Sequence, residues 1–149
     1  MEPKIIVALL AIAAGLFAIV ANNRLSDWRN RNTVIRNNAH TLKCAFAIVI
    51  SDLESPVRTQ DVRDILIREF TDHNIAVTIF RGNINWFSKY RLKKAWQQYH
   101  SGHCFDADDW EIPKEDQLFM DCFSIEDQSE AAKIYLKRIH KILRIANQK

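Results

Sequence analysis

The sequence predicts an all-α protein, in which a single N-terminal transmembrane helix continues into a long amphipathic helix and is followed by a small helical bundle. Residues 5–21 form an unbroken apolar run, and apolar residues recur at helical spacing through most of the remaining chain. Only three glycines and three prolines occur among 149 residues. These are too few turn-forming residues for an all-β fold with many tight turns.

The apolar run contains 17 residues and carries no charge, amide or hydroxyl. As a helix it spans about 26 Å, near the lower limit for crossing the hydrocarbon core of a bilayer. A cleavable signal peptide is the alternative interpretation, but it has a shorter apolar core and a small-x-small cleavage site. Cleavage after Ala21 would place the bulky Ile19 at the third position before the cut. We therefore predict a transmembrane anchor over residues 1–23.

Positive charge is unequal on the two sides of the run. Only Lys4 precedes it, whereas four arginines follow it: Arg24, Arg29, Arg31 and Arg36. The positive-inside rule therefore predicts that the N-terminus lies outside and that the C-terminal domain is cytoplasmic. An odd number of cysteines, with no framework spacing, also suits a reducing compartment. We expect the four arginines to lie at the membrane surface, facing anionic headgroups.

A heptad pattern predicts a juxtamembrane amphipathic helix over residues 24–55. Its a and d positions are Leu25, Trp28, Asn32, Ile35, Ala39, Leu42, Phe46, Val49 and Leu53. The helix should stop before Pro56, because a residue that precedes proline disfavours the α conformation. The stripe suits a coiled coil with a second copy, and it suits packing on the chain's own later helices equally well.

Residues 56–149 are predicted to form a helical cytoplasmic domain. Its first helix should begin with Thr59 as N-cap and should end at Gly82 and Asn83. The β-branched run 75–79 would also suit a strand, but the sequence offers no partner strand, so helix is favoured.

Two further helices are predicted in the same domain. One covers about residues 87–100, and the break at Ser101-Gly102 ends it. Ser124, with Asp127 three residues later, reads as an approximate capping box that opens the last helix. An acidic loop, 106–121, lies between the two helices.

The charges of the domain are unevenly placed, although the net charge of the chain is only +3. Lys114 is the only basic residue in the acidic loop, whereas the tail after residue 130 contains lysines and arginines but no acidic residue. A self-solvating loop before a helix with basic last turns explains this pattern. Strong nucleic-acid binders are usually more basic, so the sequence does not favour a nucleic-acid partner.

Hydrophobic and aromatic positions follow a recognisable order over residues 42–146. The order is Phe46, Phe70, Thr71-Asp72-His73, Ala76-Val77, Phe80-Arg81, Ala95-Trp96-Gln97-Gln98-Tyr99, and a final helix containing Ile139-His140-Lys141-Ile142-Leu143. In this order the chain resembles a group of short uncharacterised bacterial proteins with an N-terminal membrane segment and a small helical cytoplasmic domain. The resemblance implies a helical fold and a place in the bacterial inner membrane. It implies no catalytic residues, and the acidic loop departs from the group's pattern.

The candidate metal ligands are His100, His103, Cys104 and Cys122, with Asp106 nearby. Structural zinc ligands usually come in pairs two to four residues apart. One such pair is present, but Cys122 stands alone, so we predict no metal and no cofactor. No Gly-rich phosphate loop, nucleophile elbow or H-E-x-x-H motif occurs, and we therefore predict no catalytic residues and no enzyme.

Histidine and aromatic side chains have two interpretations each. His73 lies on the apolar face of its helix, where a core histidine bonded to a backbone carbonyl or a carboxylate is favoured over a catalytic one. Five aromatic residues beside Arg91, Lys93 and Lys94 suit stacking on nucleic-acid bases: Trp86, Tyr90, Trp96, Tyr99 and Trp110. Helical spacing instead places Trp96 and Tyr99 in the core.

We expect a non-enzymatic, membrane-anchored interaction or sensor module whose domain binds a protein partner or a second copy. Two small-xxx-small pairs, Ala11 with Gly15 and Ala14 with Ala18, favour packing of transmembrane helices in a homo-oligomer. The alternative is a membrane-perturbing effector of a bacterial antiphage or toxin system, activated by clustering of its transmembrane helix. The sequence specifies neither the partner, nor the triggering signal, nor the oligomeric state.

Overall fold

A computed structural model describes residues 3–55, 60–102, 114 and 117–148, with side chains described from residue 12 onward. Within these ranges there are four α-helices: α1, Pro3–Glu54; α2, Val62–Asn83; α3, Trp86–Ser101; and α4, Gln128–Asn147. A short 3₁₀ helix, Met120–Ser124, precedes α4. These described ranges contain no strand, so the predicted all-α class is confirmed. The chain divides into two compact units, residues 1–36 and 37–149.

The first unit is the N-terminal part of α1. Its large apolar side chains are exposed at Ile12, Leu16, Phe17, Ile19 and Val20. Across the part of the chain that the structure describes, no helix combines the length and apolarity needed to cross a bilayer. The predicted transmembrane span is therefore not confirmed.

The second unit has its core between the C-terminal part of α1 and the three later helices. The a and d residues of α1 in this unit are buried: Ala39, Leu42, Phe46, Val49 and Leu53. The second half of the predicted heptad stripe thus packs on the chain's own domain, which is one of the two interpretations that the spacing allows. In the first half, Leu25, Trp28 and Asn32 are exposed.

Helix α2 runs unbroken through residues 75–79, which confirms the helical interpretation of that β-branched stretch. Ala76, Val77 and Phe80 face the core there, whereas Ile75 and Ile79 are exposed, as the period of a helix requires. The N-cap is Asp61, whose carboxylate accepts a hydrogen bond from the Arg63 amide at 3.0 Å. The prediction of Thr59 as N-cap is therefore wrong, and Thr59 itself lies outside the described residues.

Side-chain caps also define the starts of α3 and α4. Asn85 caps α3 by accepting from the Ser88 amide at 2.8 Å. Asp127 caps α4 by accepting from the Ser129 amide at 2.7 Å, so the prediction of Ser124 as the cap is wrong. The reason is local, because Ser124 belongs to the 3₁₀ helix and its hydroxyl donates to the Asp121 carbonyl at 2.8 Å.

The core of the second unit is centred on the aromatic ring of Tyr99. Five rings lie within 6.3 Å of its centroid: Phe46, His73, Trp96, Phe119 and Tyr135. These rings come from α1, α2, α3, the segment before the 3₁₀ helix, and α4. Mostly edge-to-face geometry is the arrangement that aromatic quadrupoles favour. Tyr99 therefore connects the four α-helices with the segment before the 3₁₀ helix, and Trp96 and Tyr99 are core residues, as helical spacing predicts.

Gly102 is the C-cap of α3 and adopts a left-handed conformation, with φ of 76°. A Cβ atom at this position would lie 2.7 Å from Oδ2 of Asp121. We expect Gly102→Ala to lower the free energy of unfolding by about 1–3 kcal/mol, because it adds backbone strain and displaces that carboxylate. Urea denaturation of the full chain in detergent, monitored by near-ultraviolet circular dichroism, measures the change in the free energy of unfolding.

Gly82 provides the matched control for that substitution. It lies in the last turn of α2, and a Cβ atom there would meet nothing within 4 Å. Gly82→Ala should be neutral or should stabilise the protein by up to about 0.5–1 kcal/mol. Equal effects of the two substitutions would show that neither the left-handed turn nor the contact with Asp121 matters.

Candidate functional site

His73 is fully buried and has a partner on each ring nitrogen. Nε2 lies 3.1 Å from the Ala45 carbonyl, and Nδ1 lies 2.9 Å from the Tyr99 hydroxyl. A carbonyl only accepts, so Nε2 carries the proton and donates to Ala45, while the Tyr99 hydroxyl donates to Nδ1. The predicted bond to a backbone carbonyl is thus present. This histidine joins α1, α2 and α3 as a neutral core residue.

His100 is buried on α3 among the rings of Phe70 and Trp96, at centroid distances of 6.2 and 5.4 Å. Its Nδ1 has no hydrogen-bond partner among the described residues. Burial lowers the pKa of His100 from 6.5 to about 4, because the charged imidazolium is poorly solvated there. Burial also lowers the pKa of His73 to about 4, partly opposed by its bond to the Ala45 carbonyl.

These two histidines make the stability of the fold depend on pH. Between pH 6.5 and 4 the unfolded chain binds protons that the folded chain does not. The contribution is fully present above pH 6.5. It falls as the pH is lowered towards 4, by about 1.4 kcal/mol per histidine for each pH unit. Urea denaturation at pH values between 7.5 and 4.5 measures this slope.

His100→Met should reduce the slope of unfolding free energy against pH, because it removes one of the two buried histidines whose pKa is lowered. His140 is exposed on α4 and provides the control. His140→Met should leave the slope unchanged. An unchanged slope in His100→Met would contradict the buried, neutral state of this imidazole.

A second polar cluster centres on the carboxylate of Asp121. The Tyr135 hydroxyl donates to Oδ1, and the Arg138 guanidinium contacts Oδ2 at 2.6 Å. The guanidinium also lies 4.7 Å from the centroid of the Tyr135 ring. Both oxygens of Asp121 are thus engaged, so the cluster ties the 3₁₀ helix to α4 and presents no free carboxylate for acid–base chemistry.

Cys122 is buried beside this cluster, and its pKa is raised to about 11. Burial is the main cause, because it disfavours the thiolate. At neutral pH this thiol is therefore protonated and a poor nucleophile. Burial and the bond to Asp121 also raise the pKa of Tyr135 above its usual value.

The four candidate metal ligands, for which the sequence predicts no metal, are divided between described and undescribed parts of the chain. His100 and Cys122 are buried, whereas His103 and Cys104 lie outside the described residues, as does the neighbouring Asp106. Within the described ranges, no group of three or more His, Cys, Asp or Glu side chains is placed to hold a metal ion.

The outward face of α3 carries a surface that we call the aromatic–basic stripe, made up of Trp86, Phe87, Tyr90, Arg91, Lys93 and Lys94. Trp86, Phe87 and Tyr90 are 79, 55 and 52% exposed. The opposite face of the same helix packs Leu92, Ala95 and Tyr99 into the core. The stripe thus contains the aromatic residues of α3 that lie outside the core.

Other predicted site residues lie in the first unit. Ala14, Gly15 and Ala18 are exposed on α1, and the side chain of Ala11 lies outside the described residues. The four arginines of the predicted membrane surface are exposed as well: Arg24, Arg29, Arg31 and Arg36. A Cβ atom at Gly15 would meet nothing within 4 Å.

The Asp121 cluster was not predicted from the sequence, in which Asp121 is one of many acidic residues of the acidic loop. The signal available in the sequence was the pair Tyr135 and Arg138, which lie three residues apart on the predicted last helix and so share a face. Comparison with protein-family models, with curated proteins and with solved structures finds no match to this chain. The resemblance to short bacterial proteins therefore stays a prediction.

Proposed function

We propose that the chain is a membrane-tethered, non-enzymatic interaction or sensor module of the bacterial inner membrane. In this proposal the start of α1 is the tether, and the second unit is a cytoplasmic domain that contacts a protein partner or another copy. The observation that carries it is the exposure of the apolar start of α1, where Ile12, Leu16, Phe17, Ile19 and Val20 lie uncovered.

These five side chains belong to a helix segment that has no polar face. At 100° per residue they are spread over more than a third of the helix circumference, and the intervening positions up to residue 21 are alanine or glycine. A helix without a polar face is usually buried in a large core or in a membrane. The first unit contains no other element that covers it, and residues 5–11 extend the apolar sequence to 17 residues.

The second unit supports the interaction part of the proposal. Several polar side chains in its interior bond to one another, His73 to Tyr99 and Asp121 to Tyr135 and Arg138. Groups on its surface are therefore the ones available to a partner. We propose the acidic loop, 106–121, and the basic face of α4 as the partner surfaces. Most of that loop lies outside the described residues.

The tether is tested by alkaline carbonate extraction of bacterial membranes that contain the full chain. Wild type should stay with the lipid pellet, whereas Leu16→Lys/Ile19→Lys should move largely to the supernatant, because lysine in a span costs about 2.5–3.5 kcal/mol. Val34→Lys/Ile48→Lys adds the same charges at exposed apolar positions of α1 outside the proposed span and should behave like wild type. Extraction of the wild type would refute the tether.

Orientation is tested through Cys44, which is exposed. In a Cys104→Ser background, a membrane-impermeant maleimide should label intact cells weakly and permeabilised cells strongly. Cys122 does not interfere, because it is buried and its pKa is raised to about 11. Strong labelling of intact spheroplasts would place the domain on the other side of the membrane.

The alternative proposal, a membrane-perturbing effector of an antiphage or toxin system, requires the tether helices to cluster. Gly15→Leu distinguishes the effector from a passive tether, because a Cβ atom at Gly15 would meet nothing within 4 Å among the described residues, so we expect leucine there to hinder mainly the approach between helices. If the full chain depolarises cells and Gly15→Leu relieves the effect, the effector proposal is supported. Unchanged membrane potential at high expression supports a passive tether.

A further inference from the structure

The three aromatic side chains of the aromatic–basic stripe lie largely outside the core, and the Arg91 guanidinium of the stripe donates to Oε1 of Gln148 at the end of α4. Trp86 is 79% exposed although tryptophan buries more apolar area than any other residue type when it packs. Its ring contacts Phe87 edge to face, at a centroid distance of 6.0 Å, and Phe87 is exposed itself. Adjacent exposed aromatic residues of this kind mark a binding surface rather than scattered apolar exposure.

Positive charge surrounds these rings. No acidic residue occurs between Asp72 and Asp106, and five basic residues do: Arg81, Lys89, Arg91, Lys93 and Lys94. The Lys94 ammonium lies 4.7 Å from the centroid of the Tyr90 ring, and the Arg91 guanidinium lies 5.9 Å from that of Phe87. The stripe is thus complementary to a surface that is both anionic and partly apolar.

Two kinds of partner have this chemistry, a bilayer with anionic headgroups and a single-stranded nucleic acid. Base stacking needs open ring faces, but cations of α3 itself already cover one face of Tyr90 and of Phe87. At a bilayer the same arrangement is favourable, because aromatic rings lie at the headgroup level while lysine and arginine reach the phosphates.

We propose that the aromatic–basic stripe is a second, peripheral contact of this protein with an anionic lipid surface. The choice of lipid rests on the proposed tether, which keeps the domain close to a bilayer. In this arrangement the stripe binds phosphate headgroups through Arg91, Lys93 and Lys94. Trp86, Phe87 and Tyr90 enter the interfacial layer.

The test separates lipid binding by the stripe from membrane insertion of the tether, because it measures binding to a second membrane that does not hold the tether. The full chain is first reconstituted into phosphatidylcholine nanodiscs, so that the tether is already held in a bilayer. The loaded nanodiscs are then mixed with vesicles and separated by flotation; the vesicles contain either phosphatidylcholine alone or phosphatidylcholine with about 30% phosphatidylglycerol. Recovery should be much greater with the anionic vesicles. Trp86→Ser/Tyr90→Ser and Lys93→Glu/Lys94→Glu should each lower it about tenfold or more.

The matched control is Lys133→Glu/Lys137→Glu, which makes the same charge change at exposed positions of α4. It should alter recovery by less than about twofold. The substituted positions are exposed except Lys93, which is half-buried, and an unchanged unfolding midpoint verifies that each variant is folded. Equal losses from the α3 and α4 charge variants would overturn the stripe in favour of overall net charge.

Two other outcomes overturn the lipid proposal. One is the absence of binding to anionic vesicles by folded wild type. The other is tight binding of a thymidine oligonucleotide that the same stripe variants abolish, together with weak vesicle binding, which would identify a nucleic-acid surface. If the chain does not enter nanodiscs, the tether proposal fails instead, and the vesicle test is made with chain added directly.

Discussion

Replacement of Phe46 by alanine should lower the free energy of unfolding by about 3–5 kcal/mol. Phe46 is completely buried on α1 and stacks on the His73 ring at a centroid distance of 4.1 Å. It also meets the edge of Tyr99 at 5.6 Å. Alanine would leave a cavity where α1 meets α2 and α3, and it would leave the imidazole without its stacking partner. For a domain of ordinary stability this approaches complete unfolding.

Urea denaturation of the full chain in detergent, followed by near-ultraviolet circular dichroism, measures this loss. Ile48→Ala is the control, because Ile48 lies two residues away on α1 and is 56% exposed. It should cost no more than about 0.5 kcal/mol. A loss below about 1 kcal/mol for Phe46→Ala would mean that α1 is not part of the core.

Substitution of Asp121 by alanine should destabilise the domain by about 2–4 kcal/mol. It removes the partner of the Arg138 guanidinium, whose side chain is only 14% exposed, and also the acceptor of the Tyr135 hydroxyl. The Nη1 atom of Arg138 is already buried without a partner among the described residues. Removing the carboxylate leaves a largely desolvated charge uncompensated, and that accounts for most of the expected cost.

The exposed ion pair between Arg68 and Asp52 provides a matched control. Its atoms are also 2.6 Å apart, but its side chains are 46 and 39% exposed. Asp52→Ala should therefore cost no more than about 1 kcal/mol. In addition, the double substitution Asp121→Ala/Arg138→Met should lower the free energy of unfolding by less than the sum of the losses from the two single substitutions, because neither charge is left without its partner. Strict additivity would show that the two groups do not interact.

Helix positions were predictable from the sequence because burial imposes a spacing of three or four residues. Phe46, Phe70, Phe80 and Trp96 each lie three or four residues from another position on the apolar face of the same helix, and all four are buried. The helix starts were predicted less well. Thr59 and Ser124 are good caps by residue type, but the choice between neighbouring polar side chains depends on local bonds such as that of Ser124 to the Asp121 carbonyl.

The partners in the polar contacts between helices could not be predicted from the sequence. His73 was placed correctly on an apolar face, but its partners are 28 and 26 residues away, at Ala45 and Tyr99. Such pairs depend on the rotation and height of one helix against another, and periodicity alone does not determine either. The same limit concealed Asp121, since a charge pattern does not reveal which acid of a run is bonded inward.

The hydrogen bonds of His73 also have a consequence for motion. The proton on Nε2 is directed at the Ala45 carbonyl of α1, and the ring has no accessible surface. Water reaches this proton only when α1 separates from α2, so its exchange with deuterium reports that opening rather than the fraying of a helix end. In a nuclear magnetic resonance spectrum it should persist as a slowly exchanging imidazole signal. A ligand that displaced α1 would shorten its lifetime before any helix was lost.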